Sequence, residues 1–413
     1  MLNKNKIREL AYVVIVDGIE PIIGSDNCEA ALIGGWRVMV KKGEFKKGDP
    51  AIYFEIDSKV DPENPAFAFL AKKHYAVKTQ KYTFGGKGNF ISQGLIMKAA
   101  DFGWTTGSAQ FAGGLVYIED ADGVQHFADD EDSMFLTEKL NITYYVSEDN
   151  VRKSNKPSAD NILNRAFARH PKIAKKWGKY IKNHKFARWL FIHLFGKKPS
   201  DLDVFPSFVS KTDEERVQNM PWILENDEDW VATEKIDGTS TTAALQIGKF
   251  GKHKFWICSR NVAFGKKNKT CFYETNVYTE MAEKYKFEDV LKDIARKFNA
   301  KTIALQGETY GATIQKRDYD MKNRDFRAFN LYIDGKRLGS IEAKDILSVY
   351  GIQWVPILEV IKLPKTIDEM LTYAASVPSV IDGGMREGVV LRTLDGSKSF
   401  KAVSNEFLLK YHC

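Results

Sequence analysis

The chain has 413 residues, with 61 Lys or Arg against 54 Asp or Glu for a formal net charge of +7, and it is 44% apolar and 12% aromatic. That length predicts two or three domains rather than one core, and the apolar content excludes wholesale disorder. No apolar run nears the ~20 residues of a membrane helix. The start, MLNKNKIREL, is not expected to act as a secretory signal, because it has no apolar core segment.

The first 150 residues read as closely spaced short strands. YVVIV, RVMVKKG and AIYFEID alternate or run apolar, and further strands are expected at FISQGLIMK and GLVYIED. Turn chemistry separates them at EPIIGSDN, KKGEFKKGD and DPENP. This pattern predicts a small OB-type β-barrel over 1–150. Lys41, Lys42, Lys46 and Lys47, with Trp36, Tyr53 and Phe54, are its candidate nucleic-acid contacts; solvated turns and core packing are the plainer reading of the same residues.

Residues 151–204 are expected to form a basic helical insert. Positions 151–200 hold fourteen Lys or Arg and one acidic residue, Asp160, while the rest of the chain sums to −6. Such a local excess attracts polyanions, and counterion release favours their binding. Trp177, Tyr180 and Trp189 add stacking surface. Trp177, Ile181, His184, Arg188, Phe191 and Phe195 recur at helical spacing, which predicts one shared face. His170, His184 and His193 are too far apart for a compact metal pair. Pro199 and Pro206 mark the exit.

From 205 to 413 strands and helices mix. KFWICSR, TIALQGETYG, FRAFNLYID and REGVVLR read as buried strands, with helices at 278–298, 342–350 and 366–376. The fold class is therefore α+β around antiparallel sheets. Cys28, Cys258, Cys271 and Cys413 are scattered without a CxxC pair, which argues against a disulfide scaffold or a cysteine zinc site and fits a reducing, cytoplasmic setting.

The chemistry concentrates in an ordered set. Lys235-Ile236-Asp237-Gly238 is a KxDG pattern, weak on its own. It is followed by Ser259-Arg260-Asn261, Gln306-Gly307-Glu308-Thr309-Tyr310-Gly311, Phe326-Arg327-Ala328-Phe329, Arg386-Glu387-Gly388-Val389-Val390 and Ser399-Phe400-Lys401. In this order the segments resemble the six motifs of covalent nucleotidyltransferases, the nucleic-acid ligases and mRNA capping enzymes. The segment GGWRVMVKKGEFKKGDPAIYFEIDS, with FPSFVSKTDEERVQN at 205–219, narrows the resemblance to the fifth RNA ligase family. That family places an OB module ahead of an antiparallel-sheet, ATP-grasp-like nucleotidyltransferase domain.

The resemblance implies an ATP-dependent RNA ligase. Lys235 would be the nucleophile that takes AMP, and Lys401 would support it. Asp237, Glu308 and Glu387 would hold Mg2+ or Mn2+, largely through its waters. Glu234, Arg260, Glu308, Phe329, Lys211, Arg216, Val389 and Lys401 would bind the nucleotide, with Phe329 stacking on adenine. Lys211 and Arg216 could instead pair with Asp213 or Glu215. A lysine is almost wholly protonated near neutral pH, so the site is expected to lower the pKa of Lys235 through a cation and Lys401. The family's last motif usually presents KxK, whereas this chain has Lys401-Ala402-Val403. That leaves open whether Arg216 or Lys211 supplies the second phosphate contact. The expected partner is RNA, or an RNA-containing duplex with 5′-phosphate and 3′-OH ends; no membrane and no obligate protein partner are expected. A DNA ligase or broad nick sealer, a capping-type GTP transferase, and a nucleic-acid-binding protein with an inert transferase domain remain as rival readings.

Overall fold

A computed structural model describes residues 1–3, 5, 7–85, 88–109, 115–145, 163, 167, 171–195, 204–265, 271 and 273–411. His170, Pro199, Cys413 and much of the basic 151–200 stretch lie outside the described residues.

Two antiparallel three-stranded sheets organise the N-terminal barrel, with smaller antiparallel pairings over 58–59, 76–92 and 105–144 around them. One joins β2 (Gly18–Pro21), β3 (Cys28–Ile33) and β4 (Trp36–Lys41); the other has β5 (Pro50–Phe54) between β1 (Ala11–Ile15) and β6 (Leu95–Met97). β4 alternates cleanly: Trp36, Val38 and Val40 are buried while Lys41 is exposed. β1 and β5 are apolar throughout because both of their faces are covered. Tyr12, Val14, Ala51 and Tyr53 pack with Trp36, whereas Ala11, Val13, Ile52 and Phe54 join a second core with Phe67 and Leu136. Trp36, Tyr53 and Phe54 are accordingly core residues rather than surface contacts.

The basic stretch contributes two helices, α1 (Pro171–Asn183) and α2 (Lys185–Phe195). The single apolar face expected across them does not form: helix is interrupted at His184, and Trp177 and His184 of that face are exposed. Ile181 and Phe191 are buried beside Leu163 and Phe167. Trp177, Tyr180 and Trp189 are 52%, 51% and 58% exposed. Among the described residues no helix is long and apolar enough to cross a membrane.

The C-terminal half is built from two antiparallel sheets. Its elements are β7 (Trp230–Lys235), β8 (Thr239–Ile247), β9 (His253–Cys258), α3 (Val277–Lys284), α4 (Phe287–Lys297), β10 (Thr302–Gly311), β11 (Arg324–Ile333), α5 (Ser340–Ser348), β12 (Ile357–Ile361), α6 (Ile367–Ala375), β13 (Gly388–Thr393) and β14 (Ser399–Val403). The first sheet has the order β12-β7-β13-β14. The second runs β9-β8-β10-β11 and ends on the short strand Lys336–Arg337. Trp230, Ala232, Val389, Leu391 and Phe400 form the core on one side of the first sheet, with Met370 of α6. Leu245, Ile303, Leu305, Phe326 and Leu331 pack the second sheet against α3, α4 and α5. The helix expected over 278–298 is two helices, because Lys286 takes a left-handed conformation (φ 49°). That break lets Tyr278 and Met281 on one side, and Phe287, Leu291 and Ile294 on the other, enter the same core. α6 starts on a reciprocal cap between Thr366 and Glu369.

Candidate active site

β7 belongs to one catalytic sheet and β8 to the other, so the turn 236–238 is the crossing point. Lys235 closes β7 and pairs in register with Gly388. Gly238 is needed for the tight crossing: a Cβ there would sit 2.4 Å from the Thr309 carbonyl oxygen and 2.8 Å from Glu308 Cγ. The Asp237 amide donates to the Tyr319 hydroxyl at 2.7 Å, which fixes the turn.

A cleft of about 400 Å³ opens between the sheets. Lys235, Asp237, Glu308, Arg260, Phe329 and Lys401 all line it. Glu387 reaches it through Lys235, whose Nζ lies 2.6 Å from Glu387 Oε1. Gly388, next to Glu387, leaves no room for a side chain, since a Cβ would come within 2.2 Å of the Ala402 carbonyl oxygen. A larger cavity, about 540 Å³, lies where the N-terminal sheets meet 218–221 and is lined by none of these residues.

The electrostatics differ from expectation at the nucleophile. Burial by itself would lower the Lys235 pKa, but Glu387, Glu308 and Asp237 outweigh it and hold the ammonium above its ordinary value. The chain's own groups therefore keep the proton on, and only a cation drawn to those carboxylates reverses the sign. Burial pushes the Glu308 carboxyl up to about 8, with Lys235 and Arg260 opposing. Lys401 is lowered, first by burial and then by Lys235 and Arg216, against the pull of Asp213.

The donor set fits a hard divalent cation held through water. Glu387 Oε2 is buried with no hydrogen-bond partner among the described residues. Asp237 and Glu308 stand close enough to Lys235 to shift its proton affinity. Among the described residues no group of three His, Cys, Asp or Glu side chains converges as direct ligands. Carboxylates that hold an ion through its waters match the habit of Mg2+.

Residues 228–412 match the family model described as RNA ligase, and residues 10–98 match one for an OB-fold domain. Residues 228–412 form an RNA ligase domain. The similar solved structures include Naegleria gruberi RNA ligase with PPi, 27% identical over 97% of this chain and 98% of that one, with a TM-score of 0.59. A mutant of that ligase with ATP and Mn, and another with AMP and Mn, are each 27% identical over 98% of this chain and 99% of theirs, with TM-scores of 0.60. No curated protein matches the chain.

The remaining predicted site residues fall in two groups around the ligase cleft. Arg260 Nη2 lies 2.7 Å from Asp213 Oδ1, and Lys401 Nζ donates to the same oxygen at 3.1 Å. Asp213 thus pairs with these two cations rather than with Lys211 or Arg216. Glu215 is likewise taken, by Arg8 of the N-terminal module at 3.1 Å. The segment carrying both acids runs beside β14, where the Lys401 amide donates to the Glu215 carbonyl at 2.7 Å. Arg216 is half-buried, with its guanidinium 5.6 Å from the Trp36 ring centroid and its buried Nη1 without a hydrogen-bond partner among the described residues.

Three expected nucleotide contacts are placed elsewhere or otherwise engaged. Lys211 is exposed and lines a neighbouring depression with Tyr332 and Arg337 instead of the cleft. The Glu234 carboxylate is spent on the Ser379 hydroxyl and on the Val380 amide at 2.8 Å. Val389 is fully buried in the core, because side chains alternate along β13; its neighbour Val390 lines the cleft. Val403 is buried, and Lys398 is held at the surface by Glu228 at 2.7 Å, so it does not replace the missing second lysine. Sequence reasoning missed Asp213 as the bridge between Arg260 and Lys401. It also missed Thr233, Gln315 and Arg392 as cleft residues. For Arg392 a signal existed: two residues beyond Val390 is the same face of the strand.

Proposed function

We propose that the chain is an ATP-dependent RNA ligase that joins 5′-phosphate and 3′-OH ends through a lysyl-AMP and an adenylylated 5′-end. The observation that carries this is the contact between Lys235 Nζ and Glu387 Oε1 at 2.6 Å, placed where the two sheets of an RNA ligase domain cross. Relatives solved with ATP, AMP, PPi and Mn support the same substrate and a divalent cation.

In the first step the Lys235 amine, having passed its proton towards Glu387 Oε1, attacks the α-phosphorus of ATP. An N–P bond forms, the bond to the β-phosphate oxygen breaks, and pyrophosphate leaves. Arg260 and Lys401 offset charge on the phosphates, and Phe329 packs against the base. Asp237, Glu308 and Glu387 would hold Mg2+ or Mn2+ through its waters, which would add positive charge beside the phosphates and relieve the hold of the carboxylates on the Lys235 proton. A terminal 5′-phosphate oxygen of the RNA then attacks the AMP phosphorus and releases Lys235. Finally a 3′-OH attacks the 5′-phosphate and expels AMP. This last step needs positioning more than covalent help.

Residues 1–150 and the basic 151–204 insert hold nucleic acid in this reading, and 205–413 carry the chemistry. RNA at the 3′-OH side of a nick is the preferred substrate, since contacts to 2′-hydroxyls are how proteins separate RNA from DNA. A reducing, cytoplasmic compartment fits the scattered cysteines. Labelled ATP should leave acid-labile, alkali-stable AMP on the protein, and Lys235→Ala should abolish it. A wild-type chain that takes no label sinks the proposal. Sealing of nicks with RNA or DNA at the 3′-OH side then separates an RNA ligase from a general nick sealer.

A further inference from the structure

Arg392 stands on β13 two residues beyond Val390, and both line the cleft. It is 3% exposed, and its guanidinium centre lies 5.9 Å from the Phe329 ring centroid. Nη2 donates to Glu214 Oε1 at 3.1 Å, and Glu214 also pairs with Arg337. Nε and Nη1 are buried without a hydrogen-bond partner among the described residues. Between them they carry three of a guanidinium's five N–H donors. Buried donors left unmade forfeit their hydration, which favours an acceptor supplied from outside the chain.

Two polar groups that line the same cleft are already engaged. The Thr233 hydroxyl donates to the Val390 carbonyl at 2.9 Å, and the Glu234 carboxylate is occupied by Ser379 and Val380. Arg392 pairs across the sheet with Val231, four residues from Lys235, which is about 13 Å along a strand. That backbone separation is of the order of a nucleoside's span. Arg260 and Lys401 already serve the phosphate end. The Glu214 carboxylate offsets the charge of Arg392, which leaves a directional donor suited to an uncharged partner.

We infer that Arg392 reads the nucleotide base, its Nε and Nη1 hydrogens donating to a ring nitrogen on the edge of adenine. This rests on the reading of the cleft as the ATP site and goes one step further, to base selection. Adenine presents only acceptors at its ring nitrogens, whereas guanine carries a hydrogen on N1. A side chain that can only donate accepts the first and rejects the second at N1, whereas N3 and N7 accept in both bases, so selection against guanine goes with a penalty on the 1-deaza analogue.

The test is lysyl-nucleotide labelling with ATP, GTP and the 1-deaza, 3-deaza and 7-deaza analogues of ATP. Wild-type protein should lose about tenfold or more in kcat/KM on at least one deaza analogue, the cost of a lost hydrogen bond to a charged group. Arg392→Met should raise the KM for ATP and erase that penalty, so that ATP and the analogue label alike. Glu214→Gln, which keeps the arginine donors, should retain the penalty. Equal labelling of all three analogues by the wild type overturns the inference whether or not any variant folds. A penalty unchanged in Arg392→Met overturns it too. If ATP fails to label the wild type at all, the ligase reading itself has failed, which is a separate outcome.

Discussion

The Asp213 carboxylate receives the Lys401 ammonium at 3.1 Å, on the same oxygen that meets Arg260 at 2.7 Å. An anion of the chain thus sits between the two cations assigned to substrate phosphate. Arg260 and Asp213 are more than half exposed, so solvent screens the pair and its worth is modest. It nonetheless competes directly with a triphosphate.

Asp213→Asn should therefore tighten ATP binding. The expected change is a fall in the KM for ATP of about two- to fivefold, the scale of one exposed ion pair. Inhibition by pyrophosphate should strengthen in parallel. A higher KM in the variant would mean that Asp213 orients Arg260 and Lys401 for catalysis instead of competing for them.

The pH dependence follows from Lys235 and Glu308. Three carboxylates hold the Lys235 ammonium above its ordinary pKa despite burial, and burial brings the Glu308 carboxyl to about 8. Attack needs the neutral amine, and a cation needs the ionised Glu308. Both groups lose their protons as pH rises, so single-turnover labelling should climb from about pH 6 to about pH 9 and never fall in that window. Added Mn2+ should shift the climb to lower pH, because the ion competes with protons for the same oxygens. A flat profile at limiting Mn2+ would show that neither proton matters to the rate.

Glu387 acts on Lys235 in two opposed ways, and one substitution separates them. Glu387→Gln removes the negative charge that raises the Lys235 pKa, and it also removes the oxygen that takes the proton. The rate should fall by about a hundredfold or more, as for loss of a positioned base. The surviving activity should rise at lower pH than in the wild type. Measuring labelling across pH in this variant gives both quantities. An unchanged rate would remove Glu387 from the chemistry.

The degree to which the site was legible in the sequence follows from what each inference needed. KxDG and the glutamates of QGETYG and REGVV are fixed by local geometry, in which Gly238 and Gly388 leave no room for a side chain. Such constraints leave a local signature. The partners of Asp213, Glu215 and Glu234 do not, because they come from Arg260, Arg8 and the Ser379 turn, far away in the chain. A motif names positions without naming faces, so it points to Val389; strand alternation gives the cleft place to Val390 and, two residues on, to Arg392. The break at Lys286 was hidden for another reason: apolar spacing continues through it, and the requirement to fill a single core from two directions is tertiary.

Arg8 ties the OB module to the catalytic segment, and its loss should separate sealing from labelling. Its Nε donates to Glu55 Oε2 at 2.9 Å and its Nη1 to Glu215 at 3.1 Å. Glu55 is 1% exposed and, among the described residues, keeps the N-terminal ammonium and the Tyr12 hydroxyl as side-chain partners when Arg8 is removed. Arg8→Ala should therefore destabilise the protein by about 1–3 kcal/mol, the cost of an under-satisfied buried carboxylate, and thermal unfolding would read it. Glu215 also loses its tie to the first module, although Asn219 still donates to it at 2.8 Å. The cleft residues on β7, β8 and β13 are untouched, so lysyl-AMP formation below the melting point should stay within about twofold of the wild type, as for independent sites. In the proposed function sealing of RNA ends draws on both modules, so it should fall further. Equal losses in both assays would mean that the OB module serves the nucleotide step itself, through Trp36 and Arg216, as much as it serves RNA.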